Sequence, residues 1–498
     1  MSTSCASAAA NASMVLPGAR CAAPLWPTRR TRPSLSSRSP MISLSPGYGL
    51  QVRADLARIV GERHVLPGDD PRYTADATVF SGVEGRADAV VLPASVDEVA
   101  AVVRWCAARG IPVIPRGGGT GWAGGAVPLG SGVVIALERL TAVRSFDPLQ
   151  WRMEVEAGVT TATVRRLARE HGLCFPPDPG AAEESQIGGN VATNAGGPHC
   201  FKYGVTGAWV TGVEAVLATG EIVRVGGPVR KDVAGYDLAA LLTGSEGTLG
   251  IITAVWLRLI PAPAGSWPVA AWYPDAAAGA EAVLRCMAAG PVPAVLEYLD
   301  GATLALVGGG FPGPRVAEAG FLLIAESDTG SADRDLLAQA LAEGALTAPC
   351  VPQDPAALWR WRDGVSSVVA SARGGKLAED VAVPVERLAE AVDETVRIGA
   401  RHGLEACSWG HAGDGNLHAN LLLDRHDEDA VLRARAAADD VLEMAVRLGG
   451  TITGEHGVGL LKNGRLSRQW GPGAVGAHRA IKAALDPANL MNPGKKLA

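Results

Sequence analysis

The stretch Pro115–Gly125 limits the fold more than any other, because it holds six glycines in eleven residues directly after a predicted strand. Read from Gly119, it spells G-x-G-x-x-G, the fingerprint of a Rossmann dinucleotide site. That fold needs a helix to begin among the glycines, where its N-terminus meets the pyrophosphate. Helix-breaking residues instead continue through the stretch and beyond it: Gly124, Gly125, Pro128, Gly130 and Gly132. The Rossmann interpretation is therefore rejected.

What remains is a helix-free loop with many exposed backbone N–H groups. Successive N–H groups can form a nest that cradles a diphosphate, and Arg116 adds positive charge. Two more glycine-rich stretches follow, and we expect the first of them to be a loop of the same kind: it leads from Pro176–Gly180 to Ile187–Gly197, and the other runs from Gly235 to Ile252. We call these the first, second and third glycine segments. Together they indicate a long, phosphate-bearing ligand lying across a β scaffold.

Strand and helix patterns alternate around the first glycine segment. Ser95 and Glu98 form a capping box, and the apolar residues behind them share one helical face. Short apolar runs over 89–92, 111–114 and 133–137 predict strands on either side of that helix.

The punctuation Pro261–Gly265 predicts a domain boundary. Beyond it, strand patterns alternate with helices predicted over 275–289 and 332–345. We expect an α+β protein with one domain over 55–262 and a second over 263–498. The second domain should contain an antiparallel sheet, and its last helices should return to the first domain.

Composition excludes several classes of protein. The net charge of −6 and the pI near 5.9 argue against nucleic acid as a partner, since that needs a basic patch. No stretch approaches the roughly 20 apolar residues of a transmembrane helix. The eight cysteines form no CxxC pair, so iron–sulfur and cysteine-type zinc sites have no support.

Residues 1–54 differ from the rest, with no Asp or Glu, six arginines and many Ser and Ala. This composition fits an organellar transit peptide. It fits equally a start codon placed too early, with Met41 as the true start. We expect a cytoplasmic protein, with peripheral membrane association left open, or an organellar one if this segment is a transit peptide.

The glycine segments, together with Lys202–Thr206, resemble the FAD-binding domain of the vanillyl-alcohol oxidase and p-cresol methylhydroxylase superfamily. The resemblance implies a two-part FAD-binding domain, with the first segment at the diphosphate, the second beside the flavin ring and the third at the adenine half. Some members tether the flavin through a histidine where Thr120 stands here, so non-covalent FAD is expected. The implied cofactor-binding residues are Arg116, Gly117, Gly118, Gly119, Thr120, Gly121, Pro179, Gly188, Asn190, Thr193, Asn194, Gly197, Glu246, Gly250, Ile251 and Asn492.

The motif G-H-A-G-D-G-N-L-H predicts a metal site. Its Asp414-Gly415 pair predicts a two-residue type I′ hairpin turn, which would place His411 opposite His418 on one face of the hairpin. Glu455, between glycines, offers the third ligand. Two histidines and a carboxylate leave coordination positions open, as in catalytic sites. Zn²⁺ is the expected metal, with Mn²⁺ and Fe²⁺ as alternatives. The alternative to a metal site is a surface hairpin that binds no metal.

These motifs, with Glu379–Pro384 and Asp486–Gly494, resemble the FAD-linked D-2-hydroxy acid dehydrogenases. That group includes D-lactate dehydrogenase, D-2-hydroxyglutarate dehydrogenase and the flavin subunit of glycolate oxidase. The resemblance covers roughly residues 55–498 and implies a small D-2-hydroxy acid as substrate, with 263–498 as the substrate (cap) domain. Because the chain has no cysteine cluster, electrons must pass from FAD to oxygen, a quinone, a cytochrome, an electron-transfer flavoprotein or a separate iron–sulfur subunit.

The expected mechanism assigns roles to two further residues. His456 takes the hydroxyl proton as general base, while the substrate oxygens bind the metal and the hydride moves to the flavin. Arg362 resembles the family's carboxylate-binding arginine, with Arg360 as the alternative. Two rivals are an alkyl-dihydroxyacetone-phosphate synthase-like flavoenzyme, which has no net redox chemistry, and a flavin-free metal-dependent hydrolase.

Overall fold

The computed structural model of the protein describes residues 46–78 and 82–497, and the strands in this part of the chain form four sheets. The strands are β1 (Val65–Pro67), β2 (Ala89–Val91), β3 (Val113–Arg116), β4 (Val133–Ala136), β5 (Val143–Asp147), β6 (Arg152–Glu156), β7 (Leu173–Cys174), β8 (Val210–Val216), β9 (Ile222–Gly226), β10 (Ile251–Arg258), β11 (Ile260–Pro261), β12 (Trp267–Tyr273), β13 (Val295–Asp300), β14 (Phe321–Ser327), β15 (Lys376–Ala382), β16 (Glu405–His411) and β17 (Asn416–Leu422).

The α-helices lie between and after these strands. They are α1 (Pro46–Val60), α2 (Pro71–Thr74), α3 (Val96–Ala107), α4 (Thr161–Glu170), α5 (Ile187–Thr193), α6 (Cys200–Tyr203), α7 (Leu238–Leu242), α8 (Ala276–Ala288), α9 (Gly301–Val307), α10 (Ser331–Ala342), α11 (Pro355–Ser371), α12 (Leu388–Arg401), α13 (Glu428–Arg447), α14 (Leu466–Gln469) and α15 (Pro472–Leu485). In the part of the chain that the structure describes, no helix combines the length and the apolar character needed to cross a membrane.

The first sheet has the order β1-β2-β4-β3, with β2, β4 and β3 parallel and β1 antiparallel. Helix α3 packs on it through an apolar face that is buried, as predicted. Ser95 caps α3 as predicted, because its Oγ accepts from Glu98 N at 3.2 Å. The Glu98 carboxylate also reaches back, but it accepts from Ala94 N at 2.7 Å, one residue before the cap. The first glycine segment leaves the end of β3 and, as expected, contains no helix.

The second sheet is antiparallel, in the order β5-β6-β10-β8-β9. Helices α4 and α5 share a buried core with it that includes Val155, Val164 and Ile187. The second glycine segment was expected to be a loop, and here that expectation is wrong, because residues 187–193 form α5. Glycine lowers helix propensity, but tertiary packing overrides it here: a Cβ at Gly188 would lie 2.5 Å from the Ala157 Cβ.

The predicted antiparallel sheet of the second half of the chain has six strands, in the order β12-β14-β13-β16-β17-β15. Helices α8, α10, α12 and α13 pack on one face of it around a large apolar core. Helices α9 and α11 cover the other face. The predicted helices over 275–289 and 332–345 correspond to α8 and α10.

These sheets and helices confirm the α+β class. The segment 1–54 was set apart from the fold, but α1 begins at Pro46 and occupies its last nine positions; residues 1–45 lie outside the described part of the chain. After α15 the backbone returns to the first sheet, where Val113 N donates to Leu490 O at 2.8 Å and Asn492 N donates to Val113 O at 2.7 Å. The proposed division at 262/263 stays a prediction.

Candidate active site

A cavity of about 780 Å³ lies among the three glycine segments, α11, the β16–β17 hairpin and the loop after α13. Its volume is in the range of small-molecule and cofactor sites. All five residues predicted to hold the metal or carry out the chemistry line it, and so do fourteen of the sixteen predicted cofactor residues. The segments that are separate in sequence therefore meet in a single site.

Close backbone packing shapes the first glycine segment. A Cβ added at Gly118 would overlap the carbonyl oxygen of Glu184, and Gly119 has a φ of 73° with the Arg116 guanidinium directly beneath it. Arg116 is buried and donates to Ala75 O at 2.7 Å and to Arg72 O at 2.8 Å. The Arg116 side chain therefore stabilises the first glycine segment through these two hydrogen bonds. The glycines add no side chains on the cavity side, so that a ligand can approach the backbone.

The second glycine segment presents mainly backbone to the cavity. The Asn190 amide donates to Thr161 Oγ1 at 2.6 Å, and the Thr193 hydroxyl donates to Gly189 O at 3.0 Å, so both side chains have protein partners. Asn194, expected to contact FAD, does not line the cavity. It ends α5 in the left-handed conformation, and its Oδ1 accepts from Gly207 N at 2.7 Å.

Asn492 is the second predicted cofactor residue that does not line the cavity. Its side chain is buried and donates to Gly125 O at 2.9 Å and to Glu246 O at 2.8 Å. Asn492 therefore joins the first glycine segment to the third and acts on the site through the backbone. A resemblance assigned by motif could not separate this role from direct contact.

The two histidines predicted to bind a metal lie on the β16–β17 hairpin, whose register differs from the prediction. Trp409 rather than His411 pairs with His418, because the turn is a four-residue loop with a 3₁₀ turn over Ala412–Asp414 and Gly415 in the left-handed conformation. The predicted two-residue turn is therefore wrong. A register shift of two residues preserves the face of each side chain, so the two imidazoles still meet, with ring centroids 5.3 Å apart.

One carboxylate oxygen lies among three imidazoles. Glu455 Oε1 is 3.5 Å from His411 Nε2, 3.6 Å from His418 Nε2 and 3.8 Å from His456 Nε2. His411 Nε2 is buried without a hydrogen-bond partner among the described residues. Such an orphaned nitrogen, aimed at a second histidine and a carboxylate, fits a divalent metal.

Protonation differs between the two predicted histidine ligands. Burial lowers the pKa of His411, but the carboxylates of Glu297 and Glu455 raise it well above 6.5 overall. Burial and the neighbouring imidazoles of His411 and His456 lower the pKa of His418 well below 6.5. His418 is therefore neutral near pH 7, the form that ligates a metal, and a metal would displace the proton of His411.

Glu297 on β13 orients His411. Its Oε1 is hydrogen-bonded to His411 Nδ1, which directs Nε2 toward Glu455. Metal-binding histidines commonly have such a carboxylate behind them. Arg362 bonds the other oxygen, with its Nε donating to Glu297 Oε2 at 2.6 Å. Full burial raises the pKa of Glu297, but Arg362 and His411 lower it overall, so this carboxylate is ionised.

Asp380 on β15 belongs to another group of potential ligands, whose atoms lie within 4.8 Å of one another: Asp380, His418, Glu455 and His456. Asp380 is fully buried, and its Oδ1 accepts from Asn416 Nδ2 at 2.7 Å. Its Oδ2 accepts from four donors at 2.8–3.0 Å: Thr453 Oγ1 and the backbone N–H groups of Gly454, Glu455 and His456. Because both oxygens of Asp380 already accept hydrogen bonds, this carboxylate has little capacity left to bind a metal. This favours the predicted ligands His411, His418 and Glu455 over the group that includes Asp380.

The hydrogen bonds that Asp380 accepts also explain how the adjacent residues Glu455 and His456 can both face the cavity. In a strand, neighbouring Glu455 and His456 would face opposite sides. Here they lie in a loop whose successive N–H groups turn around one carboxylate oxygen, and both side chains line the cavity. The His456 ring stacks on that of His418, with centroids 5.4 Å apart.

Sequence reasoning missed Glu297 and gave no role to Asp380 or Arg165. An acid in the otherwise apolar strand Val295–Leu299 was a signal for Glu297, since a buried charge needs partners. Asp380 stood in a motif that was used only for the resemblance. Arg165 on α4 lines the cavity with no hydrogen bond or ion pair to the described residues, and nothing in its helix pattern marks it.

The chain is similar to known proteins over most of its length. Residues 268–496 match the family described as FAD linked oxidases, C-terminal domain, and residues 87–226 match the FAD binding domain family. The glycolate oxidase subunit GlcD of Bacillus subtilis is 37% identical over 86% of this chain and 92% of its own length. A D-lactate dehydrogenase of Anaerostipes hadrus is 34% identical over 88% and 95%. The crystal structure of p-cresol methylhydroxylase with substrate bound shares the fold, with a TM-score of 0.73 at 19% identity over 91% and 97%.

Proposed function

The chain belongs to the FAD-linked oxidase family and is an FAD-dependent oxidoreductase, and from this premise we propose that it oxidises a small D-2-hydroxy acid to the 2-oxo acid with the help of a divalent metal. The names of its relatives refer to glycolate and D-lactate. The observation that carries the proposal is the meeting of Glu455 Oε1 with three imidazole nitrogens in the cavity formed by the glycine segments.

His411, His418 and Glu455 would hold the metal, and two histidines with one carboxylate leave positions for substrate oxygens. Zn²⁺ is our first choice, with Mn²⁺ or Fe²⁺ as alternatives. FAD, when bound, supplies the redox chemistry by accepting the hydride from C2. The glycine segments would hold it through backbone N–H groups, without a covalent tether at Thr120.

His456 acts as the general base that takes the proton of the substrate hydroxyl. An imidazole is suited to this role near neutral pH. Its ring lies between Trp122, at 6.1 Å between centroids, and His418, at 5.4 Å, and its own backbone N–H is fixed by Asp380. These contacts hold the ring in place while leaving Nε2 on the cavity side, near Glu455.

Arg362 would bind the substrate carboxylate. Glu297 takes its Nε and Nη2 donors, which leaves the Nη1 group for a second carboxylate. The same Glu297 orients His411, so one buried acid would place both the carboxylate-binding arginine and a metal ligand. Arg360, the sequence alternative, instead pairs with Asp354 at 3.2 Å on the surface.

The first test is the visible spectrum of the FAD-reconstituted protein under anaerobic conditions. D-lactate, L-lactate, glycolate and D-2-hydroxyglutarate are added in turn. We expect the flavin band to bleach with one or more of the D-acids or glycolate and to persist with L-lactate. Reduction by both lactate enantiomers at equal rates, or by no 2-hydroxy acid at all, would refute the proposed substrate class. The flavin-free hydrolase rival predicts no flavin band after reconstitution.

A further inference from the structure

Glu246, in the third glycine segment, reaches across to the loop that follows His456. Its carboxylate is almost fully buried, with Oε1 accepting from Val458 N at 2.9 Å and Oε2 from Gly459 N at 2.6 Å. Lys496 Nζ donates to the same Oε1 at 3.0 Å. A side chain that resemblance assigned to cofactor binding is therefore engaged with the catalytic loop.

The backbone conformation at Glu246 is unusual for a glutamate. Its φ of 54° lies in the left-handed region, where Gly or Asn is preferred over a residue like Glu. The conformation is fixed by a backbone bond from Glu246 N to Ala192 O at 2.7 Å. A carboxylate kept at a position that its backbone disfavours indicates a requirement for the contacts of that carboxylate.

The loop over 453–459 is held from two sides by buried carboxylates. Asp380, on β15 of the six-stranded sheet, accepts the N–H groups of residues 454–456, and Glu246, in the third glycine segment, accepts those of residues 458 and 459. Only Gly457 separates the two sets, at a φ of 83°, and a Cβ there would lie 2.9 Å from Glu246 Oε1. The backbone between the hydrogen bonds to Asp380 and those to Glu246 is therefore only one residue long, which restricts its conformation.

We propose that Glu246 is a positioning residue: it fixes the positions of His456 and Glu455 relative to the glycine segments. This inference rests on the proposed function, in which His456 is the base and Glu455 a metal ligand. Asp380 fixes residues 454–456 to β15, and Glu246 fixes residues 458 and 459 to the third glycine segment, on the side of the cavity where the flavin would be held. Farther along, Leu460 N and Leu461 N donate to Ala123 O of the first glycine segment at 2.7 and 3.1 Å, so Glu246 holds the part of the loop that directly follows His456. Because a misplacement of about 1 Å can cost about 10²-fold in rate, the contact bears on turnover more than on binding.

The test compares Glu246→Ala and Glu246→Gln with Glu214→Gln in the FAD-reconstituted protein. Glu214 is a matched control, since it is also buried but pairs with Arg144 on β5 and Arg224 on β9, away from the site. We expect Glu246→Ala to lower kcat about 10²-fold with FAD affinity and substrate KM within a few-fold of wild type. Glu246→Gln, which retains one acceptor oxygen, should recover part of the loss, and Glu214→Gln should keep wild-type kcat.

Hydrogen exchange gives a readout that does not depend on activity. In Glu246→Ala the amides of residues 458 and 459 should lose protection, while those of residues 187–193 should not change. Unchanged protection and unchanged kcat would overturn the inference, as would a loss of activity that saturating FAD restores, since Glu246 would then be a cofactor ligand. If Glu246→Ala does not fold, Glu246→Gln decides, because wild-type kcat and protection in that variant would refute the role. Failure of the wild type to oxidise any 2-hydroxy acid would refute the proposed function instead, and the exchange result would still test the contact.

Discussion

Replacing Glu297 by Gln should separate metal binding from the rest of the site. The wild-type carboxylate accepts from His411 Nδ1 with one oxygen and from Arg362 with the other. Gln keeps the shape but carries one acceptor and one donor. If the amide oxygen faces Arg362, the NH₂ group donates to His411 Nδ1 and the proton moves to Nε2, which then cannot bind a metal. If the amide is reversed, its NH₂ group points at the guanidinium.

In either amide orientation, we expect a loss of metal affinity and a loss of unfolding free energy. Loss of the carboxylate behind a metal-binding histidine weakens metal affinity about 10–100-fold. The Arg362 side chain is only 11% exposed and loses its charged partner, which costs about 1–3 kcal/mol of unfolding free energy. We therefore expect both a weaker metal site and a modest loss of stability, with FAD binding unchanged.

The assay is competition between the protein and a chelator for Zn²⁺, together with urea unfolding followed by tryptophan fluorescence. The control is Asp440→Asn, which alters a histidine–carboxylate pair of the same kind, His402 Nε2 with Asp440 Oδ2 at 2.9 Å, at a distance from the cavity. Wild-type Zn²⁺ affinity in Glu297→Gln would refute the assignment of His411 as a ligand oriented by Glu297. A loss of affinity equal to that in Asp440→Asn would refute it as well.

Three further substitutions test the site. His456→Ala should lower flavin reduction by the substrate by about 10²–10⁴-fold with FAD still bound, and rapid-mixing spectra that match wild type would remove His456 from the base role. His411→Ala should lose metal and turnover together, measured by metal analysis beside activity, and the metal role is wrong if a metal-free preparation stays active. Gly118→Ala should weaken FAD affinity at least about 10-fold because the new methyl group overlaps the Glu184 carbonyl, whereas Gly476→Ala on α15, which does not line the cavity and has open space around its Cβ, should bind FAD like wild type in a fluorescence titration.

The site was predictable from sequence where local chemistry determines it. The density of glycine after β3 excluded a helix, and the structure has none there. The histidine pair was predicted on one face although the turn type was wrong, because the error in register was two residues and the side-chain period of a strand is also two. His411 and His418 therefore meet in spite of the error.

Long-range contacts account for what the sequence did not show. Glu297 is 114 residues from His411 in the chain, and Glu246 is 212 residues from Val458. No spacing rule connects such pairs, since only the sheet order brings β13 beside β16. Helix α5 was missed for a related reason, because its glycines make it a weak helix in isolation and its packing against Ala157 makes it a stable one in the folded chain.

The hydrogen bonds of Asn492 to the first and third glycine segments have a consequence for folding during synthesis. In the described structure, Asn492 and Lys495 hold the backbone at Gly125, and Lys496 reaches the Glu246 carboxylate. During synthesis on the ribosome, the first and third segments emerge more than 200 residues before these side chains. We therefore expect these two segments to reach their final arrangement only after residue 496 has been synthesised. FAD should then bind after translation, and a chain that stops before residue 492 should bind it weakly.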